Sequence, residues 1–201
     1  MRLRLFIDFW NFQINWNERS NQALCDWKSL PTALAREAQA RLNAAGLGQP
    51  TLEETRVYAS YEPANPKDAK LRQWLTNFLD RQPGVRVFQA ERHWRRRAIH
   101  CRGCDSNIVN CPSCQAPIGR ASEKAIDSLI VTDLINLAWE GAYDVALLVS
   151  SDRDFVPAVD LLQRKNFKVV NACWSGQGNE LARVCWASFP LDGLIAGLTR
   201  R

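Results

Sequence analysis

The chain is short of several things, and each shortage excludes something. No hydrophobic run is long enough to cross a bilayer as a helix. The opening residues, 1–8, give no signal peptide, because their apolar part is brief and runs straight into Asp8. Seven cysteines is an odd number, which excludes a fully paired disulfide framework and favours a reducing, cytoplasmic setting. Only two histidines occur, His93 and His100, and neither lies in the acidic motifs described below. The excess of one sign of charge is also small. With 26 basic and 21 acidic residues the net charge is +5, which permits an anionic partner without demanding one. There is no internal repeat and no low-complexity tract. A length of 201 residues fits one domain with a modest insertion.

What is present is an alternation of short apolar runs with helical spacing. Strands are expected at 3–7, 55–60, 85–89, 144–150 and 168–172. Helices are expected at 30–47, stopped by Gly46 or Gly48, and at 67–81, 155–165, 179–187 and 191–198. A further helix over 122–139 takes Ser122 as its cap and Ile126, Leu129, Ile130, Leu134 and Leu137 as its buried stripe. Strands alternating with helices imply right-handed crossovers and a mainly parallel sheet. Gly176-Gln177-Gly178-Asn179 lacks the Lys-Ser/Thr of a phosphate loop and reads as a turn. Eight tryptophans is a high count; Trp139 and Trp186 are expected in the core, Trp10 and Trp16 as stacking candidates.

Sites in open parallel sheets form beyond the carboxyl ends of the strands. Asp8 follows the first strand, Asp152 and Asp154 follow the fourth, and Asp127 opens the helix between. Clustered carboxylates are costly unless a cation neutralises them, and hard oxygen ligands suit Mg²⁺ or Mn²⁺. Lys124 lies three residues before Asp127 and shares roughly its helix face. Singly, each of these residues is an ordinary cap or surface pair; together they suggest a metal site for phosphoryl-transfer chemistry on a nucleic acid.

The order Asp8-Phe9-Trp10-Asn11, then Lys124-Ala125-Ile126-Asp127 with Asp133 six residues on, then Ser150-Ser151-Asp152-Arg153-Asp154-Phe155 resembles the NYN domain. This is the branch of the PIN-like nuclease superfamily that includes LabA-like proteins. The resemblance, which covers nearly the whole chain apart from an insertion, implies an α/β, PIN-like (Rossmann-like) fold with a mainly parallel sheet flanked by helices; the insertion is read below as a small zinc-binding module. It implies a divalent-metal-dependent endoribonuclease that hydrolyses RNA phosphodiesters with metal-activated water. Asp8, Asp127, Asp152 and Asp154 would bind Mg²⁺ or Mn²⁺. Asn11 would position the water or the scissile phosphate, and Lys124, Asp133 and Ser150 would support the site. Asp133 is 240° round the helix from Asp127, which gives it the lesser role. Ala125 and Ser151 stand where the family pattern has glycine. The alternatives are a non-catalytic RNA-binding or regulatory protein on the same fold, and a phosphatase or nucleotide hydrolase with a closed pocket. The family permits a homodimer.

Residues 93–118 differ from their surroundings, dividing the chain into a nuclease domain (1–92 and 119–201) and an insertion. Cys101-x-x-Cys104 and Cys111-x-x-Cys114 have the spacing of a Cys₄ zinc ribbon or knuckle, closed and structural. Disulfides, redox-active Cys-x-x-Cys pairs and a four-thiolate iron site share these ligands, and His100 is a distant reserve. Arg92, Arg95, Arg96, Arg97, Arg102 and Arg120 lie close together in sequence. Arg92, Arg95, Arg96 and Arg97 are expected to grip RNA phosphates, with Trp94 and Trp10 stacking on unpaired bases.

Overall fold

An apolar run without polar alternation must be covered on both faces. Leu3, Leu5, Phe6 and Ile7 are fully buried. The computed structural model describes residues 1–122 and 125–200, with only the backbone for 120–122. In chain order its elements are β1 (Arg2–Asp8), α1 (Phe9–Arg19), α2 (Leu30–Ala44), β2 (Thr51–Tyr61), α3 (Pro66–Trp74), β3 (Val85–Glu91), β4 (His93–Arg96), β5 (Ile99–Cys101), β6 (Ser106–Ile108), β7 (Gly119–Ser122), α4 (Ile126–Trp139), β8 (Val145–Val149), α5 (Val156–Arg164), β9 (Lys168–Cys173), α6 (Asn179–Val184), β10 (Ala187–Pro190) and α7 (Ile195–Leu198).

Six strands form one sheet in the order β10-β9-β8-β1-β2-β3, and every neighbouring pair is parallel. The α/β, parallel-sheet expectation therefore holds. The chain winds one way from β1 through β2 to β3, and the other way from β8 to β10. The reversal lies between β1 and β8, where a crevice opens at the carboxyl ends. Alternate residues of β1 face opposite layers. Leu3, Leu5 and Ile7 pack with α1 and α2 through Phe12, Trp16, Leu30 and Leu34. Phe6 packs with α4 and α5 through Ile130, Leu134, Val159 and Leu162.

Several sequence expectations need correction. Ser122 does not cap a helix; it ends β7, and α4 begins at Ile126. Leu129 and Trp139 lie on the solvent side of α4, 36% and 56% exposed, because its buried stripe runs through 126, 130, 134 and 137. Trp16 is buried, so it stacks on no base. The expected helix 179–187 divides into α6 and the edge strand β10, whose residues align with Val170–Cys173 of β9. The helix expected over 67–81 ends at Trp74 and continues as a wider π turn, Leu75–Leu79. α1, which the sequence reading did not single out, buries Phe9, Phe12 and Trp16 along one side. No described helix is long and apolar enough to cross a membrane.

Residues 93–122 add no strand to the main sheet. β4 and β7 form an antiparallel stem, and β5 and β6 a hairpin beyond it.

Candidate active site at the sheet's switch point

The register Ile7 to Val149 sets Asp8 beside Ser150 at the carboxyl ends of β1 and β8. Asp8 ends β1 and caps α1, its Oδ1 accepting from the Asn11 amide at 3.2 Å. Its Oδ2 accepts from the Ser150 hydroxyl at 3.2 Å. That hydroxyl also accepts from the Asp152 amide at 3.1 Å. Asn11 Oδ1 accepts from the Ser151 amide at 3.0 Å, a second link between the two loops. Asp152 caps the short 3₁₀ turn Arg153–Phe155, its Oδ1 accepting from the Asp154 amide at 2.9 Å. Asp8 and Ser150 are buried, while Asp152 is half-buried and faces the crevice. Asp8, Asn11, Ser150 and Asp152 thus form one connected set, built on two adjacent strand ends.

The other expected residues stand differently. Asp127 is exposed in the first turn of α4, and Asp154 is exposed on the 3₁₀ turn. α4 packs on β1, β2 and that turn, and as a crossover helix it begins at the same sheet edge as the strand ends. Among the described residues, however, no group of three or more His, Cys, Asp or Glu stands close enough to hold a metal ion. Carboxylates repel one another at ligating distance unless a cation lies between them. Lys124 lies outside the described residues. Asp133 faces the middle of β2, where it accepts from Arg56 and from the Tyr58 hydroxyl, each at 2.6 Å. It ties α4 to the sheet below the crevice.

Four residues that the sequence reading left out of the site support it. Asn171 of β9 is fully buried and donates to the carbonyls of Leu148 and Ser150, at 3.0 and 2.9 Å, which fixes the end of β8. Asn15 donates to the Asn11 carbonyl at 2.9 Å and accepts from Gln177 at 2.7 Å. Gly178, with φ 66°, lies against Ser151: a Cβ there would be 2.9 Å from the Ser151 Cα. The expected turn is therefore one wall of a cleft of about 410 Å³, lined by Asn11, Ser151, Asp152, Arg153, Gln177 and Gly178. Only the Gly-x-Gly spelling hinted at this, since the contact is tertiary.

The basic and aromatic residues divide into two groups. Trp10 and Arg92 are engaged inside the fold: Trp10 donates to the Ser60 carbonyl at 2.7 Å, and the Arg92 guanidinium lies 4.6 Å over its ring and bonds Asp68 at 2.7 Å. Both are half-buried and already held by partners within the fold. Trp94, Arg95, Arg96 and Arg97 are all exposed on the stem or just after it, and Trp94 lies over Gly119. Arg96 donates to Asn110 at 2.8 Å.

The cysteines form two pairs rather than one cluster. Cys101 and Cys104 interact across the β5–β6 turn, and Cys111 and Cys114 across a second turn. Each turn is followed at once by a residue in the left-handed region, Asp105 at φ 55° and Gln115 at φ 58°. The Ser106 hydroxyl, then Cys101, hold the Cys104 thiol below its ordinary pKa. The backbone amides of Cys114 and Ser113 do the same for Cys111. Cys25 and Cys185 are pushed up to about 12 by burial, as befits apolar core residues.

Comparison with known proteins now bears on this geometry. Among curated proteins, none matches the chain. Among solved structures, the chain is similar to a protein of unknown function from Vibrio parahaemolyticus, with a TM-score of 0.53 and 19% identity over 95% of this chain and 94% of that one. At that identity the likeness concerns the fold alone. Residues 2–192 match the NYN domain. The chain belongs to the NYN domain family, a family of PIN-like nucleases.

Proposed function

We propose that the chain is a divalent-metal-dependent endoribonuclease of the cytoplasm, of the LabA-like branch of its family, with residues 93–118 as an inserted zinc ribbon or knuckle. The observation that carries this reading is the linkage of Asp8 and Asp152 through the Ser150 hydroxyl, at 3.2 and 3.1 Å, on the switch point of a parallel sheet. The Ser150 hydroxyl ties the Asp8 carboxylate to the backbone of the loop that carries Asp152, and Asp152 lines the open cleft beside it.

The donor chemistry suits the ion: Asp8, Asp152, Asp154 and Asp127 offer only hard oxygens, the kind that Mg²⁺ or Mn²⁺ takes, and these carboxylates would draw together around the bound cation, since no three of them stand at ligating distance without it. The bound cation supplies charge neutralisation and polarises a phosphoryl oxygen. The chain's own residues do the rest. Ser150 donates to Asp8 and holds its rotamer. Asn11 has its carbonyl oxygen engaged by the Ser151 amide, which leaves its NH₂ to donate to a phosphoryl oxygen. No histidine lies in these motifs, so proton acceptance would fall to a carboxylate or to the metal. The exposed arginines 95–97 offset the repulsion between acidic site and polyanion. For zinc, four thiols on two matching turns are the donor type of a Cys₄ site, and the two pairs would meet around the ion.

The test is cleavage of labelled RNA and DNA with Mg²⁺, Mn²⁺ or chelator, with wild type beside Asp152→Asn. Asparagine keeps the oxygen that caps Asp154, so stability changes by only a few tenths of a kcal/mol. It lacks the charge, so the rate should fall by roughly 10²–10³. Equal turnover by the variant would remove the site assignment. RNA binding without cleavage would favour a regulatory binder.

A further inference from the structure

A second cleft of about 620 Å³ adjoins the acidic crevice. One wall is the Arg153–Phe155 turn with the start of α5, and the other is α6. Arg153 and Glu180 line both clefts, so the two are continuous. Arg153 and Arg183 are exposed, and neither forms an ion pair with a described carboxylate within 4.0 Å, whereas Arg19, Arg56 and Arg92 are held by acids at 2.7, 2.6 and 2.7 Å. Val156, Pro157 and Val184 line the same cleft and give it an apolar floor. Asp154 and Glu180 also face this cleft, so it is not a general sink for anions. A polyanion fits when its phosphates lie on the arginine side and something apolar covers the floor.

We propose that the strand flanking the scissile phosphate leaves the crevice past Arg153 and lies in this cleft, with Arg153 and Arg183 on neighbouring phosphates and an unstacked base on Val156, Pro157 and Val184. The substrate class is then single-stranded RNA, because paired bases stay stacked inside a duplex and cannot reach the floor. This rests on the nuclease reading above and adds the path of the substrate.

The experiment uses the full chain with Asp152→Asn, which separates binding from cleavage. A fluorescent single-stranded RNA and its duplex are titrated over a range of salt. Each phosphate contact to a single strand contributes about 0.7 to the slope of log K against log salt, so Arg153→Ala with Arg183→Ala should flatten it by about 1.4 and weaken binding. Arg183→Lys should keep most of its share, and Arg164→Ala, whose side chain pairs with Asp160, should change nothing. The duplex should bind more weakly than the single strand and lose less in the double variant. An unchanged slope in the double variant, while wild type still cleaves RNA, would overturn the path alone. Equal loss for duplex and single strand would overturn the single-strand assignment. Absence of both cleavage and RNA binding in wild type would overturn the path and the nuclease reading together.

Discussion

The contact between Gly178 and Ser151 can be tested by adding one carbon. In Gly178→Ala the new Cβ would lie 2.9 Å from the Ser151 Cα, 3.1 Å from its Cβ and 3.3 Å from its carbonyl oxygen. Ser151 cannot retreat freely, because its amide is bound to Asn11 and the preceding carbonyl to Asn171. Two costs add. A left-handed φ of 66° costs alanine about 1 kcal/mol, and forced overpacking about 1–3 kcal/mol. The sum, about 3 kcal/mol, lowers the melting temperature by roughly 6–12 °C at about 2–4 °C per kcal/mol for a chain of this size. Chemical denaturation and thermal melting measure it directly, with no need of a substrate. Adding Ser151→Gly removes the 3.1 Å contact but not the two to backbone, so it should restore only part, about 1 kcal/mol. If Gly178→Ala is as stable as the parent, the two loops do not touch as described, and the cleft wall built on them is wrong.

The other predictions are briefer. Asp133→Asn leaves Arg56, whose side chain is 9% exposed, with Glu54 alone; the loss should be about 1–3 kcal/mol, less than for a fully buried pair because Asp133 is itself 22% exposed. Denaturant midpoints check it, and an unchanged midpoint would deny the network a role in stability. Cys104→Ser should abolish the zinc that atomic emission detects in the parent, and an equal metal content would remove the Cys₄ proposal. Hydrogen bonds from the Arg2 side chain and amide lower the pKa of Asp144. Its stabilisation is therefore complete above the ordinary carboxylate value near 4 and is lost as pH falls through the lower folded value. Asp144→Asn should make the loss of stability below about pH 4 shallower, with Asp26 and Asp192 supplying the rest, while leaving the profile's shape at pH 6–8 alone; an acid limb of unchanged depth in the variant would refute the linkage.

The strands were legible where burial on both faces left an apolar run, unbroken in β8 and interrupted only by Arg4 in β1. β10 was not, because Ala187-Ser188-Phe189-Pro190 has no such run and is fixed by pairing with β9. α1 is rich in asparagine and glutamine, and its buried stripe is carried by Phe9, Phe12 and Trp16, an aromatic spacing that reads equally as scattered tryptophans. Trp139 looked like core because of its bulk, but the helix rotates it outward over Phe167. Of the site, Asp8, Asn11, Ser150 and Asp152 could be found because their motifs sit at strand ends. Asn171, Asn15 and Gln177 could not, since each is an ordinary polar residue until the fold points its amide at a loop. Trp10 and Arg92 show the converse: promising residues in sequence that meet each other first.

The position of β1 has a consequence for the nascent chain. One edge of β1 pairs with β2 soon after it is made, but the other waits for β8, where Leu3 aligns with Val145. At about 5–20 residues per second, the ribosome needs on the order of ten seconds between the two. Through that interval Asp8 has no Ser150 to hold it and no Asp152 beside it. Ribosome-bound fragments ending before residue 150 therefore carry no assembled crevice.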